Sequence, residues 1–167
     1  RLALLGELRR GLEAGQLLLH YQPKVDLESR SVIGVEALLR WRRPRHGLVP
    51  PGQFIPLAEQ GGLIKPLTRW VLGEALDQCR AWEQTGRPMP VAVNLSARDL
   101  QDPHLVDGLS ELLAARKLPP ERLQLELTES AMMADPAHAA DVLCALDSRG
   151  VRLSIDTRHE STARAAL

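Results

Sequence analysis

The chain has 167 residues, 44% apolar and 25% charged, which is enough to bury one sizeable core and too apolar for a disordered segment. Lys and Arg number 21, as do Asp and Glu, so no overall field draws the molecule to nucleic acid or to a membrane surface. Aromatic residues make up 3%, too few for a platform that stacks single-stranded bases.

Residues 2 to 15, "LALLGELRRGLEAG", space leucines for an amphipathic opening helix that closes on a glycine. "LLLHYQPKV" (17–25) and "SVIGVEALLRW" (31–41) read as strands joined by the turn "DLESR". A basic, Pro-rich loop, "RRPRHGLVPPG" (42–52), separates them from two helices. These are "QFIPLAEQ" and a longer one over about 66–84, where Leu67, Val71, Ala75, Cys79 and Trp82 share a face. "VAVNLS" (91–96) is a third strand, followed by helix to about Lys117 and a stop at Pro119-Pro120. "LQLELTES" (123–130), a helix over 136–149 ending at Gly150, and the strand "VRLSID" (151–156) complete the pattern. Alternation of this kind means βα units, parallel pairing and a sheet covered by helices.

Cys79 and Cys144 lack the paired spacing of zinc or redox motifs and read as small apolar helix residues in a reducing cytoplasm. No apolar run approaches the ~20 residues of a membrane span. Arg1 in place of an initiating Met suggests a piece of something longer. "HEST" at 159–162 starts like H-E-x-x-H, but Ala163 replaces the second His, which excludes a zinc protease motif.

Parallel strands are normally almost wholly apolar, yet each of four here carries a polar residue toward its C-terminal end. They are Glu36, Asn94, Glu126 and Asp156. In a parallel barrel such ends converge on the face where active sites are built. Three acids and an amide in one mouth repel one another unless cations neutralise them. Oxygen donors without His or Cys point to a hard ion such as Mg²⁺, Mn²⁺ or Ca²⁺, and through it to phosphoester chemistry. Arg40, four residues beyond Glu36, suits a phosphate, and Gln22 sits at another strand end.

"YQPKVDL", "GVEALLRW" with Glu36-Ala37-Leu38, "FIPLAEQGGLI", "VNLS" and "LELTES" occur in an order and spacing that resembles the EAL domain family, the bacterial cyclic di-GMP phosphodiesterases. The resemblance runs from about residue 3 to Asp156. It implies an α/β fold, a modified TIM (β/α) barrel whose first sheet strand is antiparallel. It also implies two Mg²⁺ or Mn²⁺ ions and hydrolysis of cyclic di-GMP to the linear dinucleotide. Carried over by position, Glu36, Asn94, Glu126 and Asp156 become metal ligands. Gln22, Leu38 and Arg40 become substrate contacts, and Glu129 braces the loop over the metals. The resemblance suggests an upstream GGDEF or sensor domain, the two unpaired thiols fit the cytoplasm, and the open edge of an incomplete barrel would gain from a partner such as a second copy in a homodimer.

The sequence departs from the family at its end. Where the family reads "DDFGTG" this chain has "DTRHES", so Thr157 replaces the second Asp. The family's catalytic Lys comes later on the chain, whereas Lys24, Lys65 and Lys117 all precede Asp156. Barrels of this type need roughly 250 residues, with 200 near the floor. The expectation is therefore an incomplete barrel of about five strands, with 1–16 as opening helix, 17–156 as the family-like region and 157–167 as a divergent tail left by a frameshift or truncation. Such a chain is expected to be inactive by itself. The alternative is a degenerate module that binds cyclic di-GMP or a protein partner without turnover.

Overall fold

A computed structural model describes residues 2–156, and the side chains of residues 3–155. In chain order the elements are α1 (Leu2–Glu13), β1 (Leu17–Val25), β2 (Val32–Arg43), β3 (Gly47–Val49), α2 (Pro51–Gln60), α3 (Ile64–Gln84) and β4 (Val91–Leu95). Then follow α4 (Ala97–Leu100), α5 (Leu105–Ala115), β5 (Leu123–Thr128), α6 (Glu129–Met133), α7 (Pro136–Asp147) and β6 (Arg152–Asp156). The sheet order is β1-β2-β4-β5-β6, with β3 attached to β2. β1 and β3 run antiparallel to β2, and the pairs β2–β4, β4–β5 and β5–β6 are parallel. This is the expected α/β architecture with its antiparallel first strand. The strand count differs, because Gly47–Val49 folds back onto Trp41–Arg43 inside the stretch read as a loop. Three paired residues give too short a run for alternation to show.

The two faces of the sheet differ in chemistry, and period-two alternation is the cause. Val91, Val93, Leu123 and Leu125 are 0% exposed and pack under the helices. α3 covers that face with Leu67, Val71, Leu72, Ala75, Leu76 and Cys79, the stripe that the sequence spacing anticipates. Trp41 on β2 meets Phe54 on α2 edge to face, with centroids 5.8 Å apart and planes at 77°. Both rings are fully buried, so β2 and α2 are locked together. On the opposite face the register sets side by side Gln22 and Glu36, Asn94 and Glu126, and Glu126 and Ser154. That face is polar, and it is where the site lies.

Candidate metal and phosphate site

The strands β4 and β5 each deliver a polar residue and then turn away through a capped helical turn. After Asn94, the Ser96 hydroxyl accepts the Asp99 N–H at 3.3 Å, and the Asp99 carboxylate accepts the Ser96 N–H at 2.8 Å. This reciprocal capping box starts α4 and ends β4 at the rim. After Glu126, Thr128 caps α6 by accepting the Ala131 N–H at 3.2 Å. Burial pushes the Asp99 carboxyl up from its ordinary pKa, while bonds from Ser96 and Thr68 pull it down. Asp99 is 2% exposed and structural, a role its position after "NLS" conceals in the sequence.

Sequence-predicted residues meet on this rim. The Asn94 amide Nδ2 donates to Glu36 Oε1 at 2.9 Å, joining β4 to β2. Glu126 stands directly beside Asn94 in register. The Gln124 amide reaches Glu126 Oε1 at 3.4 Å, and the Lys24 ammonium forms an ion pair with the same oxygen. Gln22 opposes Glu36 across the antiparallel pair, and Leu38 and Arg40 follow Glu36 on the same face. Arg40 Nη1 donates to the Leu39 carbonyl at 2.9 Å, which anchors one edge of its guanidinium. Glu129 is exposed at the first position of α6. Asp156 takes the register position beside Thr128, two beyond Ser154. Its side chain, Thr157 and the divergent tail lie outside the described residues.

A cleft of about 560 Å³ opens beside the rim, lined among others by Leu38, Ile55, Glu59, Asn94, Ser96 and Thr128. It joins the strand ends to α2, a neighbourhood invisible in sequence because residues 38, 59, 94 and 128 meet only in space. Lys24 is a further rim residue that the strand-end pattern does not single out. The signal for it was present: it lies two positions from Gln22 and therefore on the same face.

The donor set suits a hard divalent ion. Glu36 and Glu126 supply carboxylate oxygens, and Asn94, its nitrogen committed to Glu36, has its carbonyl oxygen left as an acceptor. A cationic group, Lys24, already sits on Glu126, which marks the spot as one that favours positive charge. Among the described residues no three His, Cys, Asp or Glu side chains form a cluster. Among the described side chains the rim is two carboxylates with an amide.

The sequence profile of the EAL domain matches residues 5–163. The bifunctional diguanylate cyclase/cyclic di-GMP phosphodiesterase MucR of Pseudomonas aeruginosa is 48% identical over 157 residues, 93% of this chain and 23% of MucR. The cyclic di-GMP phosphodiesterase PdeR of Escherichia coli is 38% identical over 149 residues, 89% of this chain and 22% of PdeR. A solved complex of the MucR phosphodiesterase with cyclic di-GMP superposes with a TM-score of 0.89 over 92% of this chain and 63% of the other. The FimX EAL domain of Pseudomonas aeruginosa bound to cyclic di-GMP gives 0.83 at 27% identity, over 93% of this chain and 62% of the other. The chain thus spans about a quarter of these curated relatives and under two thirds of the solved chains.

Proposed function

The chain belongs to the EAL domain family, and from that premise we propose that its polar rim is the metal-holding and nucleotide-binding part of a cyclic di-GMP phosphodiesterase site. The observation that carries the proposal is the meeting of Glu36, Asn94 and Glu126, from three neighbouring strands, beside a nucleotide-sized cleft. Relatives named for cyclic di-GMP hydrolysis support the substrate.

Glu36, Asn94, Glu126 and Asp156 would hold Mg²⁺ or Mn²⁺. A bound pair of such ions supplies an activated water and neutralises charge on the phosphoryl oxygens. The remaining work falls to the chain's own groups. Arg40, anchored on Leu39, offers its outer N–H groups to a phosphate oxygen. Gln22 presents an amide to the nucleotide beside Glu36, and Leu38 contributes to the apolar lining of the cleft. Glu129, one residue past the cap Thr128, braces the loop that leaves β5.

Turnover by these 167 residues alone should fall below detection. Thr157 cannot supply the charge of the family's second Asp, and the lysines at 24, 65 and 117 all precede Asp156, away from the family's catalytic Lys position. Removing groups that act as a unit costs several powers of ten in rate. Binding is the discriminating measurement. Calorimetry with cyclic di-GMP and Mn²⁺ should give heat that falls at least about tenfold in affinity for Arg40→Ala, as expected for a charged phosphate contact. Linear product formed by this polypeptide and abolished by Glu36→Ala would refute the inactivity. Absence of both heat and product would refute nucleotide binding.

A further inference from the structure

The ion pair between Lys24 and Glu126 links two strands that are not neighbours in the sheet, since β1 and β5 are separated by β2 and β4. Lys24 crosses that gap over small residues. Gly34, directly opposite it on β2, has no side chain, and Ala92, two residues before Asn94 on β4, shares the face of Asn94. The Lys24 side chain is 33% exposed and that of Glu126 12%, so the contact is partly desolvated. Its ammonium takes the carboxylate oxygen that a hard cation would use.

We propose that Lys24 is a built-in competitor for the divalent ion, a tethered cation that sets how tightly the rim binds metal. The inference rests on reading the rim as a metal site. A divalent ion and an ammonium on one carboxylate oxygen repel each other, so metal binding displaces Lys24 from Glu126, and the work of displacement lowers affinity. The released ammonium then remains on the same sheet face as Gln22 and Arg40. Lys24 is a positioning residue here, acting through Glu126.

The test is Mn²⁺ affinity, measured by electron paramagnetic resonance of the free ion, without substrate. Lys24→Met should bind Mn²⁺ about fivefold to tenfold more tightly, the equivalent of losing one competing ion pair. Lys24→Arg keeps the charge and should stay near the original affinity. Amine acylation gives a second readout on the unmodified sequence. Saturating Mn²⁺ should raise labelling of Lys24 relative to Lys65 and Lys117, the other two lysines. Unchanged or weaker Mn²⁺ binding by Lys24→Met, with the original chain still binding, overturns the role of Lys24 and spares the metal site. No binding by either protein overturns both readings.

Discussion

The two cysteines share a residue type and a helical setting but not an environment. Cys79 is fully buried, and its thiol donates to the Met89 carbonyl at 3.1 Å. Burial pushes that thiol up to about 11, so little thiolate exists near neutrality. Cys144 is exposed on α7. Reading both as apolar interior residues holds for Cys79 and fails for Cys144, because α7 turns that position toward solvent. Alkylation of the folded protein at pH 8 should therefore modify Cys144 and leave Cys79 intact until denaturant is added, as mass spectrometry of the digested chain would show. Modification of Cys79 at a matching rate would contradict the buried thiol. At the rim, Glu36, Asn94 and Glu126 could be picked out because a polar residue in a buried strand is costly. Lys24 is not legible in the same way, because its partner is 102 residues away.

Between elements, the fit of α1 and α2 against β2 depends on a few close contacts. A Cβ at Gly11 would lie 2.7 Å from Trp41 Nε1, so α1 approaches the indole only because that position is bare. Arg43 at the end of β2 donates two bonds to Glu7 of α1, at 2.6 and 2.9 Å. These hold Glu7 below the usual carboxylate range. Phe54 fills the space between α2 and Trp41. Phe54→Ala should cost about 3–5 kcal/mol, the usual range for emptying a fully buried aromatic site, and a urea titration would measure it. A loss under 1 kcal/mol would mean that α2 does not rely on this contact. The helix boundaries of α3 and α7 were legible within a few residues, since long amphipathic stripes, Pro and Gly mark them. β3 was not, because its pairing depends on the turn at Pro44–His46, where Arg45 adopts φ 63°.

For the molecule as a whole, one connected core runs from Leu8 on α1 to Val151 before β6 and includes residues of every strand up to β5. A continuous core favours a single cooperative transition. Trp41 fluorescence, isolated by replacing Trp70 and Trp82 with Phe, should then change at the same denaturant concentration as far-ultraviolet circular dichroism. Separate midpoints would show that the α1–β3 region unfolds independently of β4–β6. The division of faces has the same scale. Helices cover one side of the sheet, and the other gathers polar groups from five strands.

By itself the sequence determined the α/β class, through periodicity, and the family, through the order and spacing of its motifs, while the penalty on polar groups inside strands singled out Glu36, Asn94 and Glu126. Tertiary structure alone decided which of those groups touch. The 2.9 Å bond from Asn94 to Glu36 and the ion pair from Lys24 to Glu126 depend on sheet order and register. Those are set by the packing of whole strands and helices, which no local stretch of residues specifies.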